Sequence, residues 1–391
     1  MILVGIDVAK DKHDCFIMTS KGEVLLKSFT ITNTREGFNE LYNKILSITN
    51  DFSKVKIGLE ATGHYSYNIL GYLLEKNLTP FVINPLHANL YRKSLTLRKT
   101  KTDKVDSYVI ANMLVSDIRL KPYSKKLHHN EELKSLTRYR FDKVQERSKL
   151  KQSISRLVNI LFPELEKLVS SLHIASIYAL LSEFPSAQSI AKAHLTKLTS
   201  LLRTNSKGRY TKETAILFRE AAKYSIGSHM STKSLELKHT IKLIGVLNSE
   251  INEIEKEIKI IMDKINSPLI TIPGISFTMG AQIIAEIGEF ENFSSPDKIL
   301  AFAGVSPTTY QSGTMYSTHS KMEKRGSRYL RYALFNAAKF VCKWDSTFAI
   351  YLSKKRSEGK HYYVALSHVI KKLIRIFFHL QKTGEKYTRI L

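Results

Sequence analysis

The chain has 391 residues, and 43% of them are hydrophobic, enough to fill real cores and to exclude global disorder. Its 60 Lys and Arg against 35 Asp and Glu give a net charge of +25, which points to a polyanionic partner, because Lys and Arg displace counterions from phosphate. Apolar runs such as 157–162 and 373–380 fall well short of the ~20 residues that span a bilayer, so no membrane is expected as a partner. The start lacks a signal-peptide pattern, and the two cysteines, Cys15 and Cys342, make neither a disulfide framework nor a Cys-rich zinc site. A reducing cytoplasm fits.

Residues 1–125 read as alternating strands and helices. Ile2–Ile6 is a short β-branched run, Cys15–Thr19 and Val24–Thr32 are further strands, and Lys21-Gly22-Glu23 turns between the last two. Thr34 is a candidate N-cap for a helix carrying Phe38, Leu41, Ile45 and Ile48 on one face. Val55–Leu59 is a strand, Tyr65–Lys76 a helix, Pro80–Ile83 a strand, and a last helix starts near Asp103. Three hairpin strands followed by α-β-α-β-α is the element order of a ribonuclease-H-like sheet. Actin-like ATPases share it, but they grip phosphates with a glycine-bearing hairpin after the first strand. Here Val8-Ala-Lys-Asp-Lys12 carries no glycine, and no GxxxxGK[ST] loop occurs, so ATP is not expected as a substrate.

From 126 to 268 the chain turns to long, charged helices. Ile244, Leu247, Ile251, Ile254, Ile258, Ile261 and Ile265 are separated by alternating threes and fours, the a/d seam of a coiled coil or long helical hairpin. Its natural partner is the helix near Glu131–Leu161, whose cations Arg138, Arg140, Lys143, Arg147, Lys149, Lys151 and Arg156 could face phosphates or simply solvent. The third region, 269–391, opens on Ile272-Pro-Gly-Ile275, which looks like half of a helix-hairpin-helix or an ordinary turn. A helical domain follows to about 350, then a basic tail with Lys354, Lys355, Arg356, Lys360, Lys371, Lys372 and Arg375.

Asp7 and Glu60 each end a strand, where α/β sheets gather their functional groups. Asp103 and Asp106 are three apart at a helix start, hence on one face. Capping would explain Asp103, but it does not explain the two strand-end acids. Four acids brought together repel unless a cation sits among them, and hard oxygen donors select Mg²⁺ or Mn²⁺ over zinc. Such carboxylates hold ion pairs ~3.5–4 Å apart in phosphodiester chemistry. His64 and His87 are read as structural or phosphate-facing, and Asp11 and Asp14 as solvated residues of the turn after the first strand.

Several segments together carry a resemblance. Gly5-Ile-Asp7-Val-Ala-Lys10, Glu60-Ala-Thr-Gly63, Val82-Ile-Asn-Pro85 and Lys101-Thr-Asp-Lys-Val-Asp106 resemble the amino-terminal domain of DEDD-type transposases of the insertion sequence 110 family. Ile272-Pro-Gly-Ile275, Phe302-Ala-Gly-Val-Ser-Pro307, Tyr310-Gln-Ser-Gly313 and Lys324-Arg-Gly-Ser-Arg-Tyr-Leu-Arg331 resemble the second domain of that family. The resemblance implies a RuvC-like α/β amino-terminal domain (1–125) with metal acids at Asp7, Glu60, Asp103 and Asp106. Beyond the helical coiled-coil middle read above (126–268), it implies a mainly α carboxy-terminal transposase domain (269–391) with a nucleophilic serine at Ser312. Members are recombinases that move their own element, guided by a structured bridge RNA that pairs with donor and target DNA. Ser107 stands where alanine is usual in the family.

The residues themselves agree in part. A serine hydroxyl needs deprotonation or a stabilised alkoxide to attack. Gly313 would let a DNA backbone approach, and Lys321, Lys324, Arg325, Arg328 and Arg331 suit the charge of a phosphorane. Ser-Gly is also a common turn dipeptide. Bringing the acids and the serine together requires two domains to meet, within one subunit or across the interface of a dimer or tetramer. Two other readings stay open at this level: a RuvC-like endonuclease using water, and a non-catalytic RNA-binding scaffold.

Overall fold

A computed structural model of the chain describes residues 1–61, 63–95, 103–116, 120–307, 311–312, 315–316 and 322–389. They fall into two compact units, Met1–Glu132 and Leu133–Leu391.

The first unit is built on β1 (Ile2–Val8), β2 (Lys12–Thr19), β3 (Val24–Thr32), α1 (Arg35–Leu46), β4 (Val55–Glu60), α2 (Ser66–Glu75), β5 (Pro80–Ile83), α3 (Pro85–Leu95) and α4 (Asp103–Ser116). The sheet order is β3-β2-β1-β4-β5, with β1–β2 and β2–β3 antiparallel and β1–β4 and β4–β5 parallel. Thr34 caps α1 as expected, its side chain accepting from the Gly37 amide. The first two strands run further than their apolar residues alone suggest, because the ladder continues through Asp7 opposite Asp14 and Val8 opposite His13. Asp14 is therefore not a solvated turn residue. It lies inside β2, buried, and accepts a hydrogen bond from Thr30 Oγ1 at 2.6 Å. Asp11 is exposed.

Alternation along β1 assigns its two faces. Val4, Ile6 and Val8 join Phe38 and Leu41 of α1 and Ile69 and Leu73 of α2 in one core. Leu3 joins Phe81, Ala111 and Leu114 under α4, and Gly5 and Asp7 share that side. Glycine is what lets α4 settle so closely: a methyl group at Gly5 would stand 2.0 Å from the Ser107 carbonyl oxygen, and one at Gly58 would stand 3.0 Å from the Ile110 side chain. Ser107 is wholly buried at this contact, where only a small side chain fits. Gly5→Ala is accordingly expected to destabilise the unit by about 2–3 kcal/mol or more, since backbone cannot yield as a side-chain tip does. Gly245→Ala is the matched control. It lies mid-helix with open space around it and should gain about 0.5–1 kcal/mol. Denaturant unfolding of both variants checks the pair.

The second unit is almost wholly helical. It takes most of α5 (Lys125–Leu161) and then five short helices: α6 (Leu165–Leu168), α7 (Ala175–Glu183), α8 (Ala187–Ala191), α9 (Leu195–Asn205) and α10 (Lys212–Lys223). After these come α11 (Ser231–Ile265), α12 (Phe277–Ile287) and α13 (Pro296–Phe302), and then a two-stranded ribbon of β6 (Gln311–Ser312) and β7 (Met315–Tyr316). The last helices are α14 (Arg328–Trp344), α15 (Ser346–Ser357) and α16 (Tyr362–Thr383). The isoleucine seam is buried on α11 through Ile244, Leu247, Ile251, Ile254 and Ile258. It then drifts, as a 3.6-residue helix must against a 3.5-residue repeat: Met262 is buried next, while Ile265 is exposed.

The α5 cations are largely spoken for. Arg156 meets Glu236 at 2.9 Å, Arg147 donates to Asn248 at 2.8 Å, Lys143 meets Glu250 at 2.8 Å and Arg140 meets Glu255 at 2.6 Å. Numbers falling on α5 as they rise on α11 make the two helices antiparallel. The face read as open to phosphates or to solvent is thus mostly paired within the chain, and the partners lie about a hundred residues away in sequence. The basic tail also needs correction. Its cations lie on α15, in the following turn and on α16, and α16 buries Leu366, Val369, Ile370, Leu373, Ile374 and Phe377 in the main core. Counting charge hid a 3.6-residue apolar stripe. No helix among the described residues is long and apolar enough to cross a membrane.

Candidate active site

The parallel register pairs Ile6 with Leu59, so the next residues in step, Asp7 and Glu60, stand at adjacent strand ends. The packing of α4 on Gly5 and Gly58 carries Asp106 to the same place. All three acids line one cavity of about 450 Å³, closed on another side by Pro85, Asn89 and Arg92 of α3. Each acid is partly buried. Arg92 Nη1 donates to Asp106 Oδ1 at 2.8 Å, and its Nη2 donates to Asn89 Oδ1 at 2.8 Å. Asp103 opens α4 one turn before Asp106, and its side chain lies outside the described residues. His64 and His87 are exposed and do not line the cavity.

The donor chemistry suits a hard divalent cation: carboxylate oxygens converge on one cavity with neither thiolate nor imidazole among its described lining. Among the described residues no three His, Cys, Asp or Glu side chains close tightly enough to enclose an ion, and Arg92 holds one oxygen of Asp106.

Ser312 lies in β6, paired with Met315 of β7; its side chain, and residues 310 and 313, lie outside the described set. What is described is the base of this ribbon. Pro307 bridges Met322, the Glu323 amide donates to the Ser306 carbonyl at 3.1 Å, and the Lys324 amide donates to the Gly304 carbonyl at 3.1 Å. Two recognisable segments, 302–307 and 324–331, are thus zipped together on either side of the serine. Gly304 and Gly326 adopt positive φ there, and a methyl on Gly326 would stand 2.0 Å from the Phe302 carbonyl oxygen.

Arg331 was expected near the reacting phosphate. Instead its guanidinium donates to the carbonyls of Ala303 and Lys324, at 3.1 and 3.2 Å, which makes it a brace for the ribbon base. Arg325 and Arg328 are exposed, and Lys321 lies outside the described residues. Behind the brace sits Glu286, buried, accepting from Arg138 Nε at 2.5 Å and Nη2 at 3.0 Å and from Ser327 Oγ at 2.5 Å. Ser327 in turn caps α14, accepting from the Leu330 amide. Gly274 of the Ile272–Ile275 turn serves packing, since a methyl there would stand 2.7 Å from the Phe340 carbonyl oxygen. The two cysteines are free, and burial pushes both thiols up, Cys342 to about 11. Neither is a competing nucleophile at neutral pH.

A model of DEDD-type IS110 transposases matches residues 4–163, and one of the transposase IS116/IS110/IS902 family matches residues 266–353. The chain belongs to the IS110 family of transposases. It is therefore an enzyme that acts on DNA. Among the proteins it is similar to is the pilin gene-inverting protein of Moraxella bovis, 24% identical over 99% of this chain and 97% of its own. Another is the 44.8 kDa protein of insertion element IS116 from Streptomyces clavuligerus, 21% identical over 99% of this chain and 96% of its own. The structure of T. thermophilus RuvC with a Holliday junction substrate overlays 32% of this chain and 99% of its own at 12% identity, with a TM-score of 0.24.

Helix α3 of this transposase, and with it Asn89 and Arg92, carries no apolar run that marks it in the sequence. The signal was present in Asn84-Pro85. Asn84 Oδ1 accepts from the Leu86 amide at 2.9 Å, its carbonyl accepts from the Ala88 amide at 3.0 Å, and Pro85 occupies the first helical position. That is a helix start by capping and by proline placement.

Proposed function

We propose that this transposase is an RNA-guided DNA recombinase that excises and inserts its own element through a composite site of carboxylates and a nucleophilic serine. The observation that carries the reading is the convergence of Asp7, Glu60 and Asp106 on one cavity at the strand ends of a β3-β2-β1-β4-β5 sheet, which supports a ribonuclease-H-like, RuvC-like domain. With Asp103 one turn away, these acids would hold Mg²⁺ or Mn²⁺. Bound there, such ions offset charge on the attacking and leaving oxygens of a phosphodiester. Ser312 then forms the new P–O bond as its hydroxyl proton departs, and the displaced DNA oxygen leaves as a hydroxyl. The phosphoester keeps the energy of the broken bond, so rejoining needs no nucleotide cofactor.

The domains proposed are 1–125, 126–268 and 269–391. The antiparallel α5–α11 pair supports a coiled-coil element that would bring acids and serine together in a dimer or tetramer. Guide RNA and DNA would meet the exposed cations, Arg325, Arg328, Lys339 and Lys343 among them, and not the paired face of α5. The test is to purify the protein from cells carrying its element and sequence the copurifying RNA. One discrete structured species is expected, with an affinity that falls steeply as salt rises, by a log–log slope of about −0.7 to −0.9 per phosphate contacted. Random fragments bound with a flat salt dependence would overturn guidance.

A further inference from the structure

Among the described residues lining the acid cavity, Arg92 is the only cation. Its pair with Asp106 is sheltered, the two side chains being 20% and 12% exposed, so it is not one of the surface pairs that contribute little. The geometry is also fixed from behind: Asn89, three residues earlier on α3, accepts from the second arm of the same guanidinium. A guanidinium cannot shed its proton at any physiological pH. It therefore supplies a permanent positive charge among acids that otherwise repel one another.

We infer that Arg92 is a displaceable counter-ion and a phosphate-binding residue: it occupies Asp106 until a divalent cation takes that carboxylate, and then turns to a phosphodiester of the DNA. The inference rests on Asp106 being a metal ligand, as proposed above. A cation on Asp106 removes the partner of Arg92 and repels its charge, and the long side chain swings away on its own rotamers. The planar fork matches two phosphate oxygens as well as it matches a carboxylate and an amide. Metal and DNA binding then assist each other through one side chain, and the assistance is reciprocal.

The test uses the full chain without nucleic acid, with Mn²⁺ as probe and free Mn²⁺ read by its EPR signal. Arg92→Met should bind Mn²⁺ at least about fivefold more tightly than the wild type, the low end of typical coupling between sites. Arg92→Lys keeps a charge beside Asp106 and should stay near the wild type, while Asp106→Asn should bind more weakly. A second arm follows anisotropy of a labelled random-sequence duplex before turnover. Mn²⁺ should tighten DNA binding to the wild type and do so much less for Arg92→Met. Equal Mn²⁺ affinity of Arg92→Met and wild type, with Asp106→Asn weakened, overturns the role of Arg92 and leaves the metal reading standing. Equal affinity of Asp106→Asn and wild type removes both. Should Arg92→Met fail to fold, Asn89→Ala unhooks the second arm of the fork. Tighter Mn²⁺ binding in that variant supports the inference, and unchanged binding overturns it.

Discussion

Replacing Asp7, Glu60, Asp103 or Asp106 singly by alanine is expected to lower strand cleavage by at least about 10²-fold, the scale on which a single preorganised charge-stabilising group acts. EDTA should abolish cleavage, and Mg²⁺ or Mn²⁺ should restore it. The fold should remain intact in each variant, because Asp7, Glu60 and Asp106 line a cavity and are not part of the buried core. Cleavage assays paired with thermal melts of the four variants check this. A variant with full activity removes its residue from the site. A variant that loses activity and stability together would mean that the acid props up the fold.

Much of this cavity was legible in the sequence, and the reason is local. The two strand-end acids are marked by the apolar runs before them, and Asp106 by the helix signals around it. The Ile2–Ile6 and Val55–Leu59 runs, the Thr34 cap and the Pro80–Ile83 strand all depend on neighbours within a few residues. Asp14 was misplaced because its burial depends on the length of the β1–β2 ladder, and a ladder is a pairwise property. The cations of α5 were misjudged for the same reason on a larger scale: Arg138 finds Glu286, 148 residues away, and Arg140 finds Glu255. A charge on a helix face has no sign of its partner in its own segment. Arg331 shows the limit most plainly. Its residue type and neighbourhood suggest phosphate, but its Nη1 is engaged by the Ala303 and Lys324 carbonyls. Backbone carbonyls that need a donor leave no trace in composition.

Ser312→Ala is expected to remove both cleavage and recombination, with loss to the assay background, while guide and DNA binding survive. The expectation follows from the proposed role of Ser312 as the attacking group. Residues 302–307 and 324–331 are joined by backbone hydrogen bonds beneath it, and the brace runs from Arg331 through the α14 cap at Ser327 to buried Glu286. Loss of an ordinary turn serine would change little beyond a few tenths of a kcal/mol, whereas loss of a nucleophile removes the attacking oxygen. Wild-type protein with a nicked substrate that traps the intermediate should give a denaturant-stable protein–DNA adduct, and mass spectrometry should place the DNA on Ser312. An adduct on Tyr310 would keep the recombinase and reassign its nucleophile. If Ser312→Ala cleaves at the wild-type rate, water attacks, the phosphoester is never formed, and rejoining would need an energy source that this mechanism does not supply.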